Sequence, residues 1–148
     1  RLAPQAEAAK VAIGIENVWN RFLLSPLETA RFLDEIASPW VGMYLDVGNV
    51  VYIGYPEQWV ELLGKHIKKL HMSDYRFDQA GIGAFVDLFA GDVDFPAVAK
   101  AIADIGYDDY ITLEMLPNYK QFPEVSLYAD KYAMDRIAGL VENARGSR

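Results

Sequence analysis

At 148 residues, 52% hydrophobic and 13% aromatic, the chain is one domain's worth of material with enough apolar side chains to bury a core. Its formal net charge of -7 argues against nucleic acid as the main partner, because phosphate recognition needs a basic face. Having no cysteine excludes disulfides and thiolate metal sites, and no run approaches the roughly 18 unbroken apolar residues of a membrane helix. The first residues show no basic, apolar and small-residue series of the signal-peptide kind, so the expected location is the cytoplasm.

In chain order, Ala6 to Lys10 read as the last turns of a helix leading straight into a strand, as if the sequence began in mid-fold. That strand is VAIGIENV, residues 11–18, short, rich in β-branched residues and bounded by turn formers. SPLETARFLDEIASP follows as a helix, with Ser25 as N-cap, Pro26 at the first helical position and Glu28 completing a capping box. Leu27, Ala30, Leu33 and Ile36 are its expected apolar face. VGMYLDVGN, residues 41–49, is the second strand, and PEQWVELLGKH a shorter helix ending near Gly64. The third strand is IKKLHMSD, residues 67–74. Residues 75–95 read as a long glycine-containing loop, of a length that is often functional. DVDFPAVAKAIADIGY then predicts a helix capped by Asp94, with Val98, Ile102 and Ile105 on one face and Gly106 as its left-handed stop. YITLEML, residues 110–116, is the fourth strand, and a last helix over 124–143 uses Leu127, Tyr132, Ile137 and Leu140.

Strand and helix thus alternate four times, which predicts βαβ units on a parallel sheet within a single domain, residues 1–148. No GxGxxG or GxxxxGK[ST] is present, so nucleotide-binding forms of that architecture lose support. The four strands finish on Glu16, Asp46, His71 and Glu114, each a ligand type for a hard or borderline cation. Each has a plainer reading. Glu16 could pair with Arg21, Asp46 could form an Asx turn in DVGN, His71 could be a satisfied strand-end histidine, and Glu114 could pair with Lys120. Taken together they favour one divalent cation, Mn, Mg, Co or Zn, because unpaired carboxylates gathered at one rim are costly. His66, in the helix-to-strand link GKHIKK, reads as structural or solvent-facing.

The ordered segments IEN, LDVGN, KKLHMSD, GDVDF and ITLEM resemble the xylose isomerase-like TIM-barrel superfamily, in particular its sugar and sugar-phosphate isomerase/epimerase group. They cover nearly all of residues 11–116. The resemblance implies that Glu16, Asp46, His71 and Glu114 bind one divalent metal, and that Glu16 and Glu114 double as the acid/base pair on opposite faces of the substrate. It implies a sugar or sugar-phosphate substrate, with 3-epimerisation of a ketose through a metal-stabilised enediolate as the leading chemistry. Where family members carry a histidine three residues after the second strand's aspartate, this chain has Asn49, which keeps hydrogen bonding to a hydroxyl but no charge. Arg76 is the implied substrate-binding arginine, and Trp19 and Tyr52 are candidate pocket walls or packing residues.

Eight-stranded barrels take about 250 residues, so the expected architecture is the C-terminal half of a (β/α)8 barrel, about four βα units. The missing half-barrel, or a homo-oligomeric partner, would then cover open sheet edges. Two other readings compete: a non-catalytic α/β module whose acids cap loops, and an apurinic endonuclease-like metal nuclease. The second is weakened by two histidines in all and by the acidic charge.

Overall fold

In the computed structural model, which describes residues 1–116 and 119–147, four strands lie side by side and all parallel. β1 (Ile13–Glu16), β2 (Val41–Asp46), β3 (Ile67–Met72) and β6 (Ile111–Leu113) stand in that order. The helices are α1 (Ala3–Ala9), α2 (Pro26–Ile36), α3 (Val47–Val51), α4 (Pro56–Leu63), α5 (Phe95–Asp104) and α6 (Glu124–Gly146). Among the described residues, no helix is long and apolar enough to cross a membrane.

The local chemistry explains most boundaries. Ser25 Oγ accepts the Glu28 backbone N–H at 3.2 Å, and Pro26 opens α2 where its missing N–H costs nothing. The return bond of the capping box goes one residue further out, from Leu24 N to Glu28 Oε2 at 3.0 Å, rather than to Ser25. Asp94 caps α5 through Ala97 N, and Gly106, at φ +69°, is the left-handed residue beyond its end.

One face of the sheet is dry. Met43, Leu45, Leu70 and Met72 point into a layer formed with Val60, Leu63, Val98 and Ile102 from α4 and α5. Alternation along the strands then puts Tyr44, Asp46, Lys69 and His71 on the opposite face. Helix faces are narrower than the sequence suggests. Residues three apart drift 60° around a helix, so with Leu33 buried, Ala30 and Ile36 flank it and Leu27 falls outside, 67% exposed. On α6 the buried stripe is Ser126, Asp130, Ala133, Ile137 and Val141; Leu127 and Tyr132 face outward, because those two and Ile137 cannot share one side.

Two stretches differ in kind from the sequence reading. The second strand stops at Asp46, and Val47–Val51 turn into α3, since the Asp46 carboxylate caps the first turn through Asn49 N at 2.7 Å. The stretch read as a loop over residues 75–95 holds a small antiparallel pair, β4 (Asp74–Tyr75) with β5 (Phe85–Val86). Buried Asp74 ties it down, accepting the N–H groups of Tyr75 (2.9 Å), Gly91 (2.9 Å) and Val93 (3.1 Å). Burial raises the Asp74 pKa, and those three bonds oppose the shift. Tyr75 is buried in an aromatic cluster with Trp19, Tyr52, Phe77 and Phe85.

Candidate metal centre and active site

The sheet delivers all four strand-end residues to one place. β2 and β3 are in register at Asp46 and His71, so these two side chains stand level. Glu16 is level with Tyr44, two residues short of Asp46, and Glu114 lies two residues beyond Thr112, the partner of His71. An even offset keeps every one of them on the same face of the sheet. The Glu114 N–H still reaches Met72 O at 3.0 Å, which fixes its backbone just past the end of β6.

His71 Nδ1 lies 3.0 Å from Glu16 Oε1, 3.0 Å from Glu114 Oε2 and 3.9 Å from Asp46 Oδ2. One ligand atom from each of the four residues falls within 4.8 Å of the others. An imidazole nitrogen carries at most one hydrogen, so it cannot donate to three carboxylates. Three carboxyl groups gathered round one nitrogen need relief of their mutual repulsion, from a proton on buried Asp46 when the site is metal-free or from a cation among them. The three-oxygen, one-nitrogen donor set fits a divalent metal of the Mn, Mg, Co or Zn type. Tyr44 closes one side, its ring 4.0 Å from the His71 ring.

Asp46 is the most constrained of the four, only 1% exposed. Its Oδ1 accepts both Asn49 N and Ser73 Oγ at 2.7 Å, which leaves Oδ2 turned toward His71. Its backbone is clamped by the amide of Asn17, the residue after β1, which accepts Asp46 N–H and donates to Asp46 O, both at 2.8 Å. Burial pushes the Asp46 pKa up to about 7; the Asn49 and Ser73 bonds lower it and nearby Glu114 raises it. The Asx-turn contact thus occupies Asp46 Oδ1 and leaves Oδ2 facing the other three strand-end side chains.

Gly48 makes the Ser73 contact possible. A Cβ there would overlap Ser73 Oγ and stand 2.8 Å from its carbonyl carbon. Gly48→Ala should displace Ser73, free Asp46 Oδ1 and weaken divalent-metal binding about 10- to 100-fold while the fold survives. Metal titration of the variant checks this; unchanged affinity would separate Ser73 from the centre.

A cavity of about 180 Å³ opens beside Asp46 and Glu114, and Asn49 and Ser73 complete its polar lining. Arg76 does not line that cavity; it is drawn to Asp78, two residues on, with Nε 2.9 Å from Oδ1. Glu16 turns to His71 rather than to Arg21. Trp19 and Tyr52 pack against each other and border a separate hollow with Arg21 and Leu24. His66 lies at the start of β3, 3.3 Å from Asp34, away from the site. Asn17 and Ser73 are supporting residues that the sequence reading missed. The signal for each was adjacency to a strand-end ligand, in IEN and HMS.

Residues 1–133 match the family model of the xylose isomerase-like TIM barrel, and the chain belongs to that family. No curated protein matches it. Among solved structures, it is similar to the IOLI protein with a binding zinc atom (20% identity, TM-score 0.81, 97% of this chain and 53% of that one). A D-tagatose 3-epimerase-like protein is also similar (22% identity, TM-score 0.76, 96% and 52%). So is a xylose isomerase-like TIM barrel protein from Mycobacterium smegmatis in complex with magnesium (16% identity, TM-score 0.72, 95% and 48%). The chain therefore spans about half the length of these relatives, and its four parallel strands form a partial barrel.

Proposed function

We propose that the chain is part of a divalent-metal-dependent sugar or sugar-phosphate isomerase/epimerase, with 3-epimerisation of a ketose as the leading reaction. The observation that carries this reading is the convergence of three carboxylates on His71 Nδ1 beside an open cavity. Glu16, Asp46, His71 and Glu114 would hold the metal; relatives solved with zinc and with magnesium support that choice. When bound, the ion would supply polarisation of a carbonyl and a neighbouring hydroxyl.

The chain's own residues supply the proton chemistry. Glu16 comes from β1 and Glu114 from just beyond β6, the two outer strands of the row, with Asp46 and His71 between them. Two carboxylates reaching in from opposite ends suit removal of a carbon-bound proton on one face and its return on the other. Asn49 offers its amide to a substrate hydroxyl. Arg76, paired with Asp78 at the surface, is the second proposed substrate-binding residue. In this reading the chain is one domain, the C-terminal half of an eight-stranded barrel in a cytoplasmic enzyme, and an N-terminal half completes the pocket.

The test uses protein stripped by chelator, then reloaded with Mn²⁺ or Zn²⁺. Metal should raise the melting temperature by several degrees. In deuterated water, a ketose should gain label at C3; label at C1 or C2 instead would assign aldose–ketose isomerisation. Identical melting with and without metal, and no label from any ketose, would overturn the proposal.

A further inference from the structure

A larger cavity, of about 490 Å³, shares no lining residue with the one beside Asp46 and Glu114. Its walls come from the turn leading α3 into α4 and from the segment between β4 and α5. Those connections leave β2 and β3, the two inner strands of the row. The cavity therefore stands away from the β1 and β6 edges, where further strands of a barrel would join.

Three aromatic side chains open onto it: Tyr52, Tyr55 and Phe77 are 62%, 66% and 59% exposed. Two of these rings are held from behind, since Tyr52 and Phe77 pack edge-on against buried Tyr75, with centroids 6.0 Å and 6.4 Å away. Tyr55 precedes Pro56 at the start of α4, and its side chain makes no capping bond, so the helix does not use it. The polar lining is acidic: Glu57, Asp92 and Asp94. Asp92 Oδ2 accepts Phe77 N–H at 2.7 Å, and Asp94 Oδ1 accepts Ala97 N–H at 3.0 Å. Each carboxylate is thus oriented through one oxygen and keeps the other for a ligand. The N-termini of α4 and α5 border the cavity and offset roughly +0.5 charge apiece, which still leaves about two negative charges. No lysine or arginine is among the lining residues, and neighbouring Arg76 pairs with Asp78.

Carboxylates alone would be an ordinary solvated surface, and exposed rings alone would select nothing. Together they match one chemistry. A guanidinium is planar, weakly hydrated and forked, so it stacks on a ring face while donating to a carboxylate oxygen. We propose that this cavity docks an arginine-bearing segment of a partner protein, with guanidinium groups stacked on Tyr52, Tyr55 and Phe77 and paired to Glu57, Asp92 and Asp94. The partner is basic rather than a second copy, because two chains of net charge -7 repel as they approach. The inference is independent of the isomerase/epimerase reading, since it uses none of the ligand set.

Calorimetric titration of the full chain tests it with a capped Gly-Arg-Gly-Arg-Gly peptide and its lysine and citrulline versions. The arginine peptide should bind with a Kd of about 0.1 to 1 mM at low salt. Lysine should bind about threefold to tenfold more weakly, and citrulline, equal in shape but uncharged, at least about tenfold more weakly. Asp92→Asn with Asp94→Asn keeps both backbone-accepting oxygens and should cost at least about tenfold, with the melting temperature unchanged. Tyr55→Ala should weaken binding severalfold and Tyr55→Phe should not, because phenylalanine keeps the ring face. Citrulline binding as tightly as arginine, or undiminished binding to both the double variant and Tyr55→Ala, would overturn the proposal. So would sedimentation showing a dimer that Tyr55→Ala dissociates, which would give this surface to a second copy.

Discussion

Glu16→Gln and Glu114→Gln should each lower ketose epimerisation about 10³-fold at saturating metal, in both directions, without unfolding the chain. Neither side chain is part of the dry core: Glu16 is 31% exposed and Glu114 52%, and glutamine is nearly the same size. Each substitution removes a ligand charge and should weaken metal affinity as well, so the comparison must be made with the site filled. The two variants should also differ in a way that metal loss does not imitate. If each glutamate serves one face of the substrate, the remaining one still exchanges a proton with the epimer whose hydrogen points toward it. Glu16→Gln should therefore retain deuterium wash-in from one epimer and Glu114→Gln from the other, although neither interconverts them. Mass spectrometry of the recovered sugars reads both quantities. Full epimerisation by either variant would remove that residue from the proton-transfer pair.

The four parallel strands were legible because each is a short apolar run closed by turn formers and separated from the next by a helix signal. The convergence of Glu16, Asp46, His71 and Glu114 was legible for a related reason: an acid or imidazole at the end of an apolar strand is expensive unless used, and this chain does it four times. What stayed hidden depends on partners far away in sequence, or too near. Ser73 and Asn17 are ordinary polar residues until the fold brings them to Asp46, 27 and 29 positions away. Arg76 carries a surface pairing with Asp78, two residues along the same loop, that the sequence pattern does not announce. The hairpin in the stretch after β3 rests on two-residue strands, too short for any periodicity, and is held by backbone bonds to Asp74 that no pattern announces. Leu27, Leu127 and Tyr132 are apolar yet face outward, since apolar identity alone does not fix which side of a helix a residue takes.

The metal-free protein should lose stability at Asp46 as pH rises, the reverse of what a paired surface aspartate would do. Its folded-state pKa stands at about 7 against an ordinary 3.8, mainly because ionising it means charging a site 1% exposed. Between those values the folded form keeps a proton that the unfolded form has released. The stabilisation is full below about pH 4, falls by about 1.4 kcal/mol per pH unit, and is gone once pH passes 7. Other carboxylates titrate over the same range, so the quantity to measure is a difference. Asp46→Asn keeps an oxygen for Asn49 N and Ser73 Oγ but cannot ionise. Denaturant unfolding in chelator from pH 4.5 to 7.5 should show wild type losing ground to the variant steadily with pH. Metal inverts the relation, because a cation must displace that same proton. Affinity for Mn²⁺ or Zn²⁺ should rise about tenfold per pH unit up to about 7 and then level, with close to one proton released from Asp46 per ion bound at pH 6. A pH-independent difference between wild type and variant would mean that Asp46 is already ionised without metal. In that case the neighbouring acids would have to be relieved by something other than a shared proton, and the ion would find a site that was charged in advance.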